Sequence, residues 1–469
     1  MAKYFNLSTD KPATSYKCGE EITFTVQARE NCQNIGCKYI YWEISTDDGV
    51  TEKGYGSCEN DKPLILKSKL SRPGFVRLNC TARLPDNCPD PSFDFLEAGA
   101  GAEIEKLTYC DTIPDDFDEY WGEIEKLVNE NEWEVTLFKE ITGDVREGYK
   151  LYDVRINAPE GRPASGLISI PDKEGKFPMT VIFNGYSVVG ATPHYTVDGI
   201  TATFNAHGIE NNEPMVEALK KYGQELNNYG FDETENESNV KTYWRNVMIR
   251  DLIGTKFVKT LPQWDGENLT CHGGSQGAFQ AVTVAAHDKD VTFLDVYIPW
   301  FCNLGGVNKG YMGGWLPKLQ EGLRYFDTVA QGTRVKCPAH IRARIGDYCC
   351  PPSTTVTLYN SMNCEKSMKL ILAGNHSYNP LEEKSLHFYY SPENPKAELK
   401  LGKYRHFKGG EYEVLGFGTD SETEQETVIY KALYGEGKIW VRPKHEFLER
   451  TLREGKFIRR FEYIGSQGV

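Results

Sequence analysis

The sequence lacks an excess of positive charge, a long apolar run and a recognisable export signal. Its 469 residues carry a formal net charge of −14, which argues against nucleic-acid binding because phosphates attract a basic surface. No apolar run reaches the roughly eighteen residues that a membrane-spanning helix needs, so we expect no membrane partner. The opening stretch, "MAKYFNLSTDKPATSYKCGEE", has no apolar segment of a secretion signal. We therefore expect a cytoplasmic protein.

Cysteines are present, but their spacing does not favour a metal site. Of the 13 cysteines, Cys32 and Cys37 form one C-x4-C pair, and no matching second pair follows. With an odd total and no expected export, free thiols are favoured over disulfides. We expect neither a metal nor another cofactor.

Three regions differ in pattern, and the length alone favours more than one domain. Alternating stretches such as "EITFTVQA" predict a β-sandwich-like (Ig-like) domain over residues 1–95. Over residues 96–388, apolar runs such as "MTVIFN" and "KLILAG" alternate with helical segments. This alternation predicts an α/β domain with a doubly wound, mostly parallel sheet. Residues 399–469 are rich in aromatic residues and glycine and predict a small, mostly β module.

The aromatic residues of this last module have two interpretations. Trp440, Tyr404, Tyr412 and Tyr430 suit a sugar-stacking face or a small core. The core is favoured, because so short a module needs most of its aromatic side chains inside.

The stretch "HGGSQGAF" surrounds Ser275 with glycine and has the pattern G-x-S-x-G. In hydrolases this pattern forms a sharp turn between a strand and a helix, with the serine as nucleophile at its apex. The alternative is a glycine-rich loop with an incidental serine, because short motifs recur by chance. Ser275 is therefore a candidate nucleophile that needs a base, an acid and an oxyanion hole.

The expected chain order of serine, acid and histidine selects the partners of Ser275. His376 follows the apolar strand "KLILAG", and Asp347 follows the strand "AHIRARIG", so both lie where active sites of such sheets collect. The alternative role for Asp347 is that of a helix N-cap. Asp327 and His340 are the next pair in order of preference.

Two backbone N–H groups are expected to hold the oxyanion. The Gln276 N–H follows the nucleophile at the start of a helix, and the Tyr186 N–H lies in "IFNGYS", just after an early strand. An ordinary glycine turn is the alternative interpretation of the second stretch.

These motifs together resemble the acetyl xylan esterase / cephalosporin C deacetylase family, carbohydrate esterase family seven. The resemblance rests on "HGGSQGAF", "IFNGYS", "GDYCCPPSTTVTLYN" and "AGNHSYN" and covers roughly residues 100 to 385. It implies an α/β-hydrolase fold and a metal-free cytoplasmic enzyme that removes acetyl groups from acetylated sugars. It also implies Ser275 as nucleophile, Asp347 and His376 as its partners, and the Tyr186 and Gln276 amides as oxyanion donors.

The chain departs from the usual family pattern at several places. Gly277-Ala278 stands where the family has two glycines, "NAHGIENNE" replaces its usual Asp-x-Arg-Gly-Gln stretch, and the acid loop has an extra residue. The flanking domains are further departures, so the family's assembly is not assumed, although a homo-oligomer is possible. The last module resembles a small bacterial domain family of unknown function.

We therefore predict a serine esterase that removes acetyl groups from acetylated oligosaccharides through an acetyl-enzyme. Selectivity for acetyl requires a small acyl pocket, with Trp300 and Phe301 as wall candidates or as plain core residues. A serine peptidase or general short-chain esterase of the same fold is the first alternative. A non-catalytic carbohydrate-binding protein is the second.

Overall fold

The structure is a computed structural model, and every helix it describes is too short or too polar to cross a bilayer. The cysteines of the described ranges are free thiols, whereas the Cys32–Cys37 pair lies outside them. The described residues are 5–28, 39–58, 62–83, 95–130, 132, 134–211, 214–377, 385–393, 395, 398–421, 425–453 and 456–465.

The N-terminal region forms two antiparallel sheets that share one core. Its strands are β1 (Phe5–Thr9), β2 (Glu21–Ala28), β3 (Tyr39–Thr46), β4 (Thr51–Ser57), β5 (Leu64–Lys69), β6 (Gly74–Arg83) and β7 (Phe95–Ala102). One sheet has the order β1-β2-β5 and the other β4-β3-β6-β7. Alternate residues of β2 and β3, including Phe24 and Ile44, enter the common core because side chains of a strand alternate between its two faces. The boundary near residue 95 stays a prediction, and strand β7 belongs to this region's four-stranded sheet.

The middle of the chain alternates between strands and helices. Its strands are β8 (Val135–Ile141), β9 (Tyr149–Ile156), β10 (Ala164–Pro171), β11 (Phe177–Phe183), β12 (Ile200–Asn205), β13 (Trp264–Gly274), β14 (Phe293–Tyr297), β15 (Ala339–Arg344), β16 (Lys366–Ile371) and β17 (Ser385–Tyr390). Its helices are α1 (Phe117–Glu130), α2 (Met215–Leu226), α3 (Glu233–Asn236), α4 (Tyr243–Val258), α5 (Gln276–His287), α6 (Thr328–Gly332) and α7 (Pro352–Ser361). Short 3-10 helices lie at Ile104–Lys106, Leu304–Lys309 and Glu321–Tyr325.

The strands of this region form one ten-stranded mixed sheet of the order β17-β16-β15-β14-β13-β11-β12-β10-β9-β8. Strands β12, β11, β13, β14, β15 and β16 run parallel, and antiparallel strands complete both edges. The α/β class is therefore confirmed. The carboxyl ends of the parallel strands meet at one edge of the sheet, where ligand sites of such sheets lie.

The doubly wound arrangement, with helices on both faces of the sheet, stays a prediction. Helices α4, α5 and α7 contact the sheet, α1 contacts α4, and α6 contacts α5 and α7. Leu294 and Val296 of β14 enter the core beneath this layer, whereas Asp295 between them is paired with Arg342 on the other face. That face therefore carries charged groups next to the apolar core of the same strands.

The C-terminal module contains β18 (Gly402–His406), β19 (Glu411–Thr419), β20 (Glu426–Ala432), β21 (Ile439–Pro443), α8 (Lys444–Leu448), β22 (Arg450–Arg453), β23 (Lys456–Arg459) and β24 (Phe461–Gly465). It has a five-stranded sheet of the order β21-β20-β19-β18-β24 and a separate hairpin, β22-β23. Tyr404 and Tyr430 are buried in its core, as expected, but Trp440 is 50% exposed on the edge strand β21.

Candidate active site

Ser275 lies at a tight turn between the end of β13 and the start of α5. Its φ of 55° and ψ of −121° form a combination that residues with a side chain rarely adopt. The glycines beside it allow the surrounding backbone to approach: a Cβ on Gly277 would collide with the backbone of Phe183, and one on Gly274 with the ring of Tyr297. The turn thus has the geometry that the G-x-S-x-G pattern requires.

The structure brings the three predicted side chains together. His376 Nε2 lies 3.1 Å from Ser275 Oγ, and His376 Nδ1 lies 3.0 Å from Asp347 Oδ2. The Asp347 side chain is fully buried, whereas the His376 side chain is 19% exposed. An imidazole held in this way can accept a proton from the serine on one nitrogen while the carboxylate orients the other.

Asp347 also organises the loop that follows it. Its Oδ1 accepts hydrogen bonds of 2.8 Å from the backbone N–H groups of Cys349 and Cys350. Helix α7 begins only after this loop, with Pro351 at its N-cap position. Asp347 therefore fixes its own loop as well as facing His376, but it is not the N-cap of α7.

The alternative pair, Asp327 and His340, does not come together with Ser275. Asp327 is buried at the N-cap of α6, where it accepts from the backbone N–H groups of Val329, Asn303 and Leu304. Burial raises the pKa of Asp327 to about 7. His340 instead hydrogen-bonds through Nδ1 with Ser367 Oγ at 2.9 Å.

The two predicted oxyanion donors are held by a shared neighbour, Tyr229. The Tyr186 ring stacks on the Tyr229 ring at 4.1 Å, and Tyr186 Oη donates to the Tyr229 carbonyl at 3.0 Å. Tyr229 Oη donates to Gln276 Oε1 at 2.6 Å and accepts from the Ser187 N–H at 3.2 Å. These contacts fix both segments relative to each other, and the Gln276 N–H stands at the positive end of α5.

A cavity of about 340 Å³ opens at Ser275 and His376. It is lined by the ends of β11, β13 and β14, and His194 and His272 lie on its wall. The predicted acyl-pocket residues Trp300 and Phe301 are both buried and do not line it. Phe301 stacks on Phe279 in the core, whereas Trp300 donates its backbone N–H to the Ser275 carbonyl.

The N-terminal region supports the histidine loop, a contribution that the sequence motifs did not reveal. Strand β7 presents the Glu97 carbonyl to the Gly374 N–H at 2.8 Å, two residues before His376. The Glu97 side chain is buried, accepts from Asn79 and faces Asn375. Burial raises the pKa of Glu97 to about 7, and the Asp347 charge acts in the same direction.

Arg344, at the end of β15, holds the same loop from the other side. Its Nη1 donates to the Asn375 carbonyl at 2.7 Å and to the His376 carbonyl at 3.0 Å. The arginine is buried, so these hydrogen bonds are shielded from water and hold the loop firmly. Neither Glu97 nor Arg344 belongs to a catalytic motif, and only the fold reveals their position.

One group of side chains near Ser275 has the donor types of a metal site. Asp347, Cys349 and His376 present ligand atoms within 4.8 Å of one another. Burial raises the pKa of Cys349 to about 11, which favours the neutral thiol, whereas a metal binds the thiolate. The expectation of a metal-free site stays a prediction.

Comparisons with known proteins give two matches to families. Residues 101–309 and 318–391 match the family "Acetyl xylan esterase (AXE1)", which is more than half of the chain. Residues 402–463 match the family "Protein of unknown function (DUF1653)". Residues 310–317 lie between the two matched segments of the first family.

Individual relatives agree with the first match. The acetyl esterase Axe7A of Xylanibacter ruminicola is 23% identical over 378 residues, which is 75% of this chain and 82% of that protein. The acetyl xylan esterase from Paenibacillus sp. R4 is 19% identical, with 59% of this chain and 94% of that chain covered and a TM-score of 0.49. Acetyl xylan esterase 1 from Thermoanaerobacterium sp. JW/SL YS485 is 18% identical, with 60% and 93% covered and a TM-score of 0.48. The chain therefore belongs to the acetyl xylan esterase family of carboxylic ester hydrolases and carries a C-terminal DUF1653 domain.

Proposed function

We propose that this chain is a serine esterase that removes acetyl groups from acetylated oligosaccharides through an acetyl-enzyme intermediate. The observation that carries the proposal is His376, which lies within hydrogen-bond distance of Ser275 Oγ and of the Asp347 carboxylate. A nucleophile, a base and an orienting acid in this order are what acyl transfer by a serine requires.

In the first half of the reaction, His376 Nε2 takes the proton of Ser275 Oγ as the oxygen attacks the acetyl carbonyl carbon. The buried Asp347 accepts a hydrogen bond from Nδ1–H and stabilises the imidazolium. The carbonyl oxygen becomes an oxyanion, held by the N–H groups of Tyr186 and Gln276. When the intermediate collapses, the bond to the sugar oxygen breaks, and His376 returns the proton to that oxygen.

In the second half, water replaces the sugar. His376 takes a proton from the water as the oxygen attacks the acetyl carbon, and a second oxyanion forms in the same hole. Collapse breaks the bond to Ser275 Oγ, which regains its proton from His376, and acetate leaves. The proton that Ser275 Oγ and His376 Nε2 exchange moves over a hydrogen bond of 3.1 Å that the resting geometry already contains.

Acetylated oligosaccharides are the substrate class that the family supports. The names of the relatives refer to acetyl esters and to acetyl xylan. A small acyl pocket would discriminate against longer acyl groups, since each methylene changes discrimination by about 10–200-fold. We therefore expect acetyl esters to be preferred over butyryl esters, and octanoyl esters to be very poor substrates.

Variants of the three site residues test the mechanism. Asp347→Asn should lower turnover by about four orders of magnitude, because the imidazole loses its orienting carboxylate. Ser275→Ala and His376→Ala should leave only residual activity. His340→Ala is the matched control, since His340 lies on another part of the same sheet and should leave turnover within about twofold.

Product analysis tests the substrate and the intermediate. Acetate release from acetylated xylo-oligosaccharides should exceed the hydrolysis of nitrophenyl esters with four to eight carbons, and a quenched reaction should contain a peptide with acetylated Ser275 by mass spectrometry. Near-normal hydrolysis by the Ser275→Ala variant contradicts the site. Cleavage of aminoacyl substrates, or a preference for longer esters, favours the peptidase or general-esterase alternative.

A further inference from the structure

Trp315 is firmly packed and yet open to solvent. Its ring centroid lies 4.5 Å from that of Tyr186, 5.0 Å from that of Phe231 and 5.5 Å from that of Trp300. The residue is nevertheless 41% exposed. Large apolar side chains that remain exposed while their neighbours hold them in one orientation are preorganised for a ligand.

The position of Trp315 relates it to two parts of the site. Its backbone N–H donates to the Cys349 carbonyl at 3.0 Å, so the residue is attached to the loop that follows Asp347. Its ring makes an edge contact with Tyr186, the proposed oxyanion donor. Trp315 is not among the residues that line the cavity at Ser275 and His376, but it lies between the acid loop and the oxyanion loop, at the edge of the site.

Contacts with the N-terminal region fix the segment that carries Trp315. The Met312 N–H donates to the buried Asp47 Oδ1 at 2.9 Å. Arg72 donates to the Lys309 carbonyl at 2.5 Å, and its guanidinium lies 4.1 Å from the ring centroid of Tyr311. Tyr311, Met312 and Trp315 lie in the interval 310–317 that separates the two parts of the family match.

We propose that Trp315 determines substrate specificity by stacking against the sugar ring that bears the acetyl group; this rests on the proposed function. The C–H face of a pyranose ring is apolar, and its hydrogens meet the negative face of an aromatic ring favourably. At the rim, the sugar hydroxyl groups remain in water while one face of the ring is covered. A small acetyl ester without a sugar makes no such contact and is recognised only at the triad and the oxyanion hole.

The test compares two substrates, an acetylated xylo-oligosaccharide and ethyl acetate. Trp315→Ala should lower kcat/KM for the oligosaccharide by about tenfold or more, the scale on which single aromatic stacking contacts act, mainly through KM. The same variant should hydrolyse ethyl acetate within about threefold of wild type. Trp315→Phe should retain most of the activity towards the oligosaccharide because it keeps an aromatic face.

Trp440→Ala is the matched control, since Trp440 is 50% exposed on the C-terminal module. It should change neither substrate's kinetics, and a loss confined to this variant would place the stacking surface on that module. An equal loss on both substrates in Trp315→Ala would show a structural role, and no loss on the oligosaccharide would also overturn the inference. Wild-type enzyme that hydrolyses ethyl acetate but no acetylated sugar would instead refute the proposed substrate class, and the stacking role with it.

A binding measurement separates recognition from chemistry. In the Ser275→Ala background, which should be inert, the Kd for the acetylated oligosaccharide should rise by a similar factor when Trp315 is also replaced by Ala. An unchanged Kd would overturn the inference even if turnover fell.

Discussion

The two flanking regions are joined to the catalytic domain in different ways. The N-terminal region reaches the site itself: Glu97 binds the histidine loop through its backbone, and Asp47 binds Met312 and Ser353. The C-terminal module contacts the sheet at the amino ends of β14 and β16, opposite the carboxyl ends where Ser275 lies. There Glu365 pairs with Arg450 and Arg459 of the module, and the rings of Phe293 and Phe457 stack at 3.8 Å.

The pKa values of the carboxyl groups in these two contacts are shifted in opposite directions. Burial raises the pKa of Asp47 to about 6 and that of Glu97 to about 7. Burial also acts to raise the pKa of Glu365, but the hydrogen bond and charge of Arg450 outweigh it and hold that pKa below its ordinary value. The N-terminal contact thus contains buried carboxyl groups whose pKa burial raises, whereas the C-terminal contact contains a carboxylate whose pKa its arginine partners hold down.

The largest effect is expected from Asp47→Ala, which breaks the N-terminal contact. The carboxylate accepts from the Phe75 N–H, the Met312 N–H and Ser353 Oγ. A buried donor left without a partner costs about 1–3 kcal/mol, so the free energy of unfolding should fall by about 3 kcal/mol or more. Chemical denaturation measures this loss, and kcat/KM for the oligosaccharide should fall with it because the segment carrying Trp315 loses an anchor.

Glu21→Ala is the control for this variant, because Glu21 lies in the same region and forms an exposed ion pair with Lys67. Such pairs contribute little to stability, so the denaturation midpoint should hardly move. If the two variants lost similar amounts of unfolding free energy, the buried hydrogen bonds of Asp47 would contribute no more to stability than an exposed ion pair.

The second effect is a pH-dependent gain in stability in Glu97→Gln. Above the ordinary pKa of about 4.5, the unfolded chain releases the Glu97 proton while the folded protein retains it up to about pH 7. The unfolded state is favoured over this interval, so wild type loses stability as the pH rises through it. The free energy of unfolding of the variant should therefore rise relative to that of wild type between pH 4.5 and 7. The difference should reach on the order of 2 kcal/mol at the upper end.

Unfolding free energies at several pH values check this sign. Glu105→Gln, which replaces an exposed carboxyl group in the same part of the chain, is the matched control for the substitution itself. A Glu97→Gln difference that stays constant, or shrinks as the pH rises, would contradict the assignment of a buried neutral carboxyl.

The sequence was most informative where chemistry restricts the local backbone. Ser275, Asp347 and His376 each follow a strand, and the carboxyl ends of parallel strands meet at one edge, so their proximity could be predicted from order alone. The helices that cover each face of the sheet could not be predicted, because apolar runs show that a strand is buried but not what covers each face. The charged residues Asp295 and Arg342 do indicate that one face of the sheet differs from the other, since they alternate with core residues along β14 and β15.

Contacts between distant segments of the chain could not be predicted from the sequence. Nothing in the motif around Glu97 indicates a partner near residue 374, because β-pairing between regions leaves no local pattern. Phe301 shows the same limit: a bulky residue after a strand suits a pocket wall or a core, and in the structure it stacks on Phe279 in the core. Trp315 lay in a loop without periodicity, and only its combination of packing and exposure identifies it.

The smallest effect is expected from Glu365→Gln, which weakens the C-terminal contact. Glu365 accepts hydrogen bonds from Arg450 and Arg459 in a half-buried site, and the loss of one charged acceptor should cost about 1–2 kcal/mol of docking. Because the folded pKa of Glu365 lies below its ordinary value, the wild-type contact stabilises above that value and is lost as the pH falls. Limited proteolysis should therefore release the C-terminal module from wild type more readily in acid, and release from the variant should depend less on pH.

Hydrolysis of ethyl acetate by the Glu365→Gln variant should stay within about twofold of wild type. A chain ending near residue 395 should also retain this activity, because no predicted catalytic residue lies beyond that point. If a folded chain of that length were inactive, the C-terminal module would shape the site as the N-terminal region does, and the contrast between the two regions would fail.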